Sequence, residues 1–334
     1  MTTIKFTNAS TDFYFASGIS RVKEFTDIKK TIFITDENVY AAHTKRFRNF
    51  STIVIKAGEK YKVQRTVDSI IQQLIEMGAD RQSILIGVGG GVVTDITGYV
   101  ASVYMRGIKF GFIPTTILGL VDASIGGKNG IDTGLYKNMV GTIVQPSFIL
   151  HDLVFLNSLP EDEWANGFAE IIKHACIKDA AMFEEIEQNS LKKYRSKKKL
   201  LCELLQRNAL LKCHIVQKDE FEKGDRKLLN FGHTFGHAIE NTLHLKHGYA
   251  ISIGMMVAAR ISEKLCGFKD SEKLMKVLDI YELPTHAKYN RTKALALMTH
   301  DKKKAGNHVN YILLEKIGKA VIKQISFEDL AQMI

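Results

Sequence analysis

A chain of 334 residues, 45% of them hydrophobic, can bury a large core, and its length favours two domains over one or three. No stretch approaches the ~18 uninterrupted apolar residues of a membrane span, and the opening MTTIKFTNASTDFYF lacks the basic and apolar regions of a signal peptide, so the expectation is a cytoplasmic protein with no membrane partner. The net charge of +10 would suit a nucleic acid or a strongly anionic small molecule, but its densest run, KKYRSKKK at 192–199, has only Tyr194 to stack on a base, which argues for a solvated helix end and against nucleic acid.

Taken in chain order, residues 31–35 (TIFIT), 52–55 (TIVI) and 83–88 (SILIGV) are short β-rich runs separated by helical patterns, including apolar residues at helical spacing over 67–77. That alternation predicts a parallel sheet with helices on its faces, a Rossmann-like α/β nucleotide-binding domain. In such sheets ligands bind where strands end, and each run ends in polar or small residues: Asp36, Glu37 and Asn38, then Gly58, Glu59 and Lys62, then Gly89, Gly90 and Gly91. The glycine triplet opens GGGVVTD, where backbone amides and a helix N-terminus could meet a pyrophosphate; it is not the spaced GxGxxG fingerprint, and a plain tight turn explains it equally. Asp95 is either an early-turn residue favoured by the helix dipole or a ligand acceptor.

Residues 109–116 (KFGFIPTT) read as a further strand ending in two hydroxyls. The segment LGLVDASIGGKNGIDTGLYKNMVG shows little amphipathic period and is expected to be a long functional loop, its carboxylates, lysines and glycines suiting a polyhydroxylated, phosphorylated ligand. After a β-like run at 148–153 helical patterns dominate, so the boundary is placed near Asn157, with an NAD-binding α/β domain over 1–157 and a mainly helical domain over 158–334.

Within FAEIIKHACI, Glu170 and Lys173 are the only formally charged side chains. Either they form a surface helix pair or, if buried, they must meet each other, a metal or a charged ligand. Lys212 lies in a helical pattern, DEFEKGDR at 219–226 reads as a charged turn, and then comes RKLLNFGHTFGHAIENTLHLKH. If this segment is one helix, Arg226, Asn230, His233 and His237 fall within about 60° of each other, opposite Phe231, Phe235 and Ile239. The alternatives are a solvated polar face and a metal site, with His247 as a third imidazole. Gly232 and Gly236 would weaken a surface helix by roughly 1 kcal/mol each, and make more sense where something approaches the backbone. The four cysteines show no CxxC spacing, so thiols are expected reduced and any metal site must use His and carboxylate. A carboxylate with two or three imidazoles is a catalytic zinc ligand set. The run YAISIGMMVAARISEKL reads as an apolar helix with core methionines, and DKKK precedes a strand or hairpin, HVNYILLEKIGKAVI.

Together GGGVVTD, PTT, VDASIGGKNGID, KNMVG, FAEIIKH, RKLLNFGHTFGHAIE, HGYA and DKK occur in an order and spacing that resembles the 3-dehydroquinate synthases, within the sugar phosphate cyclases. The resemblance spans about 36–303. It implies a homodimeric lyase, NAD-dependent and zinc- or cobalt-dependent, converting 3-deoxy-D-arabino-heptulosonate 7-phosphate into 3-dehydroquinate and phosphate in the shikimate pathway. It implies metal ligands Glu170, His233 and His247, drawn from the carboxylate and imidazoles singled out above. Lys128, Asn138, Lys173, Lys212, Arg226, Asn230 and Lys302 would hold the substrate, with His237 transferring or sharing a proton beside it. NAD would contact Asp36, Asn38, Glu59, Lys62, the turn Gly90, Gly91, Val92, Val93, Thr94 and Asp95, then Thr115, Thr116, Asp122, Lys128, Lys137, Phe155 and Ser158. Two positions depart from the pattern. Tyr249 replaces the Glu of an HGEA motif, which puts a supporting contact to His247 in question, and Thr94 replaces a Gly, expected to affect only turn packing. A sister cyclase making deoxy-inosose or valiolone, and a metal-dependent NAD polyol dehydrogenase, are the rival readings.

Overall fold

The computed structural model describes residues 1–134, 136–300 and 308–334. The chain divides into two compact units, Met1–Pro160 with Leu205–Phe221, and Glu161–Leu204 with Glu222–Ile334. Residues 205–221 therefore group with the first unit, whereas the sequence reading assigns them to the second domain.

The first unit is built on strands β1 (Thr2–Lys5), β2 (Ser10–Tyr14), β3 (Thr31–Asp36), β4 (Ser51–Ile55), β5 (Ile84–Gly89), β6 (Lys109–Pro114), β7 (Lys128–Thr133), β8 (Tyr136–Ile143) and β9 (Phe148–Leu150), with helices α1 (Glu37–Phe47), α2 (Gln64–Glu76) and α3 (Gly91–Val103). Seven strands form one sheet in the order β1-β2-β9-β6-β5-β3-β4. Ile34 pairs with Ile53 on one side and Gly87 on the other, all parallel, and β2, β6 and β9 continue the parallel set. The chain steps outward from β3 to β4 and then crosses back to β5, so its direction reverses between β3 and β5, the place where such sheets bind ligands.

Both sheet faces are covered, which is why the strands read as continuous apolar runs. Ile32, Ile34, Leu85 and Phe112 point to one face, where Val67, Ile70 and Leu74 of α2 and Val93, Ile96 and Val100 of α3 cover them. Phe33, Ile86, Val88 and Ile113 point to the other, toward Phe47 of α1. The segment read as a long irregular loop is instead a π-helical turn, Gly119–Ala123, followed by the antiparallel hairpin β7-β8. Its glycines hide the strand signal, because Gly130 and Gly141 let the two strands approach with no side chain between them.

The second unit contains α4 (Glu161–Lys178), α5 (Ala180–Glu187), α6 (Leu191–Ser196) and the first turns of α7 (Lys198–Lys218), then α8 (His233–Leu243), α9 (His247–Cys266), α10 (Ser271–Ile280), α11 (Arg291–His300), the hairpin β10 (His308–Lys316) and β11 (Lys319–Ser326), and α12 (Phe327–Met333). From Leu205 onward α7 leaves this unit, because Ala209 and Cys213 are buried in the α2/α3 core of the first. Met255 and Met256 are core, as their helix pattern predicts. Among the described residues no helix is long and apolar enough to cross a membrane.

Candidate functional site

Of the residues expected at NAD, Asp36, the glycine turn and Thr115 follow the carboxyl ends of the parallel strands β3, β5 and β6, whereas Asp122 lies in the π-helical turn and Lys128 and Lys137 on the hairpin β7-β8. Asp36 ends β3 and caps α1, its carboxylate accepting from the amides of Asn38 at 2.9 Å and Val39 at 3.0 Å. Burial raises its pKa, against these hydrogen bonds. After β5 the turn Gly89–Gly90–Gly91 delivers the chain into α3, and no side chain caps that helix, leaving its first amides as the donors an anion needs. Packing leaves no room for a side chain at Gly89 and little at Gly90 and Gly91. A Cβ on Gly89 would collide with Val93, one on Gly90 would stand 3.0 Å from Thr116, and one on Gly91 would stand 3.2 Å from Ala123. Thr94 does more than fill space: its hydroxyl donates to the Gly91 carbonyl at 3.0 Å and ties the turn to the helix. With Val93 and Thr94 buried, this turn presents backbone to a ligand.

Asp95 meets Lys62 at 2.5 Å. Burial pushes the Asp95 carboxyl up to about 6, against the pull of Lys62. Lys62 keeps its charge, because Asp95 and Glu59 outweigh the burial that opposes it. The same ammonium donates to Asn138 at 2.6 Å, and Asn138 in turn donates its amide to Asp132 at 2.8 Å. Lys212 reaches the π-helical turn, donating to the Asp122 carbonyl and pairing with its carboxylate, both at 2.7 Å. Thr115 is buried with its amide on the Gly89 carbonyl, and the Thr116 hydroxyl accepts from Gly119. Glu59, Lys128 and Lys137 are exposed. Phe155 is buried and Ser158 exposed, with the Ser158 hydroxyl 2.7 Å from Nε2 of His43, a neighbour that sequence reasoning missed.

The second unit holds a metal-competent cluster. Glu170 and Lys173 lie on α4, which is buried from Trp164 to Ile177, so they are no surface pair. Lys173 pairs with Oε2 of Glu170. The other oxygen, Oε1, lies 3.7 Å from Nε2 of His233 and 3.5 Å from Nε2 of His247. The three ligand atoms all lie within 4.8 Å of one another. Donors of a tetrahedral ion bonded at ~2.1 Å stand ~3.4 Å apart, so this triangle fits a divalent metal with a small contraction.

Its electrostatics ask for a cation. Burial and Lys173 hold His233 well below its usual pKa, leaving it a neutral imidazole. Burial pulls His247 down too, but hydrogen bonds to Glu170 and Glu240 outweigh it and bring the group to about 9. Two carboxylates facing one half-buried ring favour a positive charge there, supplied by a proton or by a metal.

The helix expected over 226–247 is broken. Asp225–Asn230 is a 3-10 turn, and Gly232 with φ 80° starts α8 afresh at His233. Arg226 is buried within that turn, and Asn230 donates to Glu222 at 2.7 Å. His233 and His237 keep their shared face on α8, while Phe231, Phe235 and Ile239 are buried opposite. His237 is exposed, with its ring centroid 5.1 Å from that of His233 and outside the Glu170 triangle. Lys302 lies outside the described residues.

What approaches Gly232 and Gly236 is helix α9. A Cβ on Gly254 would strike the Gly232 carbonyl and one on Gly236 would strike Ile251, so two helix backbones meet almost directly and carry His233 and His247 to one point. Gly254→Ala is expected to cost roughly 2 kcal/mol by overpacking, read as a lower denaturant midpoint at unchanged slope. Parent stability in that variant would mean the helices part without penalty.

Tyr249 gives His247 no carboxylate. Glu240 does, at 3.2 Å from Nδ1, and sequence reasoning missed it, although a helical period from His233 places it on the same side of α8.

Two family descriptions match, 3-dehydroquinate synthase N-terminal over residues 52–166 and 3-dehydroquinate synthase C-terminal over 167–304. The 3-dehydroquinate synthase of Thermodesulfovibrio yellowstonii is 43% identical over 291 residues, covering 84% of this chain and 81% of its own. That of Pyrococcus abyssi is 40% identical over 285 residues, 84% of each. Among solved structures, 2-epi-5-epi-valiolone synthase from Streptomyces hygroscopicus with NAD+ and Zn2+ bound has a TM-score of 0.90 at 26% identity, over 98% of this chain and 97% of that one. A 2-deoxy-scyllo-inosose synthase complexed with carbaglucose-6-phosphate, NAD+ and Co2+ has a TM-score of 0.88 at 24% identity, over 99% and 98% of the two chains, and is alike in fold. With the two family descriptions together matching residues 52–304 and relatives this similar over most of their length, the chain belongs to the 3-dehydroquinate synthase family.

Proposed function

We propose that this protein is a 3-dehydroquinate synthase that uses NAD and a divalent metal, zinc by its ligand set, to convert 3-deoxy-D-arabino-heptulosonate 7-phosphate into 3-dehydroquinate and inorganic phosphate. The observation that carries the metal part is the convergence of Glu170 Oε1 with Nε2 of His233 and His247. The reaction is supported by relatives of that name at 40% and 43% identity, against 24% and 26% for the solved sister cyclases. The solved cyclases with NAD+ and Zn2+ or Co2+ support both cofactors.

When bound, the metal supplies a Lewis acid for the oxygen at the carbon being oxidised, and NAD supplies reversible hydride acceptance. The rest falls to side chains. Lys173 holds one oxygen of Glu170 so that the other faces the two imidazoles. Arg226, with a fork of donors, suits an oxyanion bidentately, and Lys128, Lys212, Asn230, Asn138 and Lys302 supply charge and hydrogen bonds for a substrate carrying about three negative charges. His237, exposed beside His233, is placed to hold or pass a proton. The first-turn amides of α3, with Asp36, Asn38, Glu59, Lys62, Asp95, Thr115, Thr116, Asp122, Lys137, Phe155 and Ser158, are assigned to NAD, and the protein to a homodimer.

Incubated with the heptulosonate phosphate, the purified protein is expected to release phosphate and form dehydroquinate in equal amounts with no accumulated NADH. A chelator stops the reaction and zinc restores it. Net NADH production would point to a dehydrogenase, and turnover by metal-stripped, NAD-free protein would sink the proposal.

A further inference from the structure

His247 is fixed from two sides, and only one belongs to the ligand triangle. Its backbone is held by α4: the Gly248 amide donates to Oδ1 of Asn166 at 2.7 Å, and Nδ2 of Asn166 donates to Glu163 at 2.8 Å. Lys246 clamps the same corner, donating to Asp162 and Glu163 at 2.6 Å each. This network places the Cα of His247 but leaves its ring free to turn.

The ring is held by Glu240. A neutral imidazole has one donor nitrogen and one acceptor nitrogen, and a partner on one sets the role of the other. The buried Glu240 carboxylate lies 3.2 Å from Nδ1, and an ionised carboxylate only accepts, so Nδ1 keeps its proton and Nε2, directed at Glu170, is the nitrogen whose lone pair a metal would take in place of a proton. A competing arrangement is built into the fold, since His237, Glu240 and His247 also offer ligand atoms within 4.8 Å of one another. The Glu240 hydrogen bond reserves Nδ1 and disfavours that alternative. His233 is treated the same way by a backbone acceptor, with Nδ1 3.2 Å from the Phe231 carbonyl, but no substitution can remove a carbonyl. At His247 the acceptor is a charged side chain, so its contribution can be measured.

We propose that Glu240 is the positioning residue of the metal centre: it fixes the tautomer and orientation of His247, raises the basicity of Nε2, and thereby sets the affinity for a divalent ion. This rests on the reading of Glu170, His233 and His247 as ligands. It also accounts for Tyr249, because the carboxylate support that position lacks arrives from α8.

The test uses the full-length protein stripped of metal and titrated with Zn2+ against a chromophoric chelator, with the visible spectrum of the Co2+ form as second readout. Glu240→Leu is expected to weaken zinc binding by about ten- to a hundredfold and to shift the Co2+ bands. Glu240→Gln keeps an acceptor oxygen and loses the charge, so it recovers the band positions and most of the affinity. NAD affinity, carried by the other unit, should match the parent in each variant. Parent zinc affinity and parent bands in Glu240→Leu would overturn the proposal. Should that variant fail to fold, Glu240→Gln decides: a loss of about three- to tenfold supports the assignment and parent affinity overturns it. His247→Ala separates the two readings, since undiminished zinc affinity there would remove the ligand set itself.

Discussion

Glu170→Gln is expected to purify without tightly bound divalent metal and to turn over at least about a thousandfold more slowly than the parent, a loss that excess zinc does not repair. The carboxylate has two assignments, one oxygen on Lys173 and the other toward both imidazoles. An amide of the same shape fails in both. It removes the only anion of the triangle, and it leaves the buried ammonium of Lys173 facing a neutral group, a more costly arrangement than the parent pair. Metal analysis and kcat report the first effect, and a lower melting temperature reports the second. His233→Ala, which removes one neutral ligand and leaves the Glu170–Lys173 pair intact, should lose comparable activity with a smaller change in stability. Because the ligands act as one unit, the double variant should be little worse than either single one. A Glu170→Gln protein that retains its metal and turns over within tenfold of the parent would remove the triangle from the mechanism.

How much of this was legible in the sequence varied with the length scale of the signal. The candidate ligands stood out in the sequence because their chemistry conflicts with their surroundings: Glu170 and Lys173 in an apolar helix, and imidazoles at helical spacing among glycines. The α/β alternation of the first unit was readable for a related reason, since β-branched runs buried on both faces leave no polar period to confuse them. Three features were not readable. The hairpin β7-β8 is glycine-rich because its strands nearly touch, so the residues that make it a hairpin erase its alternation. The break before His233 depends on the left-handed backbone of Gly232, which a side-chain period cannot register. The grouping of Leu205–Phe221 with the first unit follows from the burial of Ala209 and Cys213 and the reach of Lys212 to Asp122, long-range pairings that no local pattern encodes. Glu240 falls between the two. Its place on the His233 side of α8 was implicit in the period, but its role depends on a partner that starts the next helix.

Acid should destabilise the protein through a residue with no expected part in the chemistry. His151 follows β9, with 2% of its surface exposed, its backbone amide on the Tyr14 carbonyl and its carbonyl on the Ser17 amide. Its ring packs edge-on to Phe15 at 5.0 Å and Phe13 at 6.5 Å, and Nε2 has no hydrogen-bond partner among the described residues. Burial alone lowers its pKa to about 3. An unfolded histidine titrates near 6.5. Between these values the unfolded chain binds a proton that the folded one refuses, so stability falls with pH in this window and is fully retained above it. At ~1.36 kcal/mol for each pH unit, acidifying from 6.5 to 4 costs about 3 kcal/mol through this one ring. His151→Leu carries no proton in either state and should lose that slope. Denaturant unfolding of parent and variant at several pH values tests this, and only the difference in slope matters, since a constant offset from repacking leaves it untouched. The consequence reaches the segment proposed to meet NAD. The next residue, Asp152, accepts from the amides of Ile19 and Val154 and pairs with Arg46, anchoring the turn that carries Phe155 and Ser158. Equal slopes in parent and variant would show that the ring gains its proton without unfolding, by turning Nε2 to an acceptor or to water.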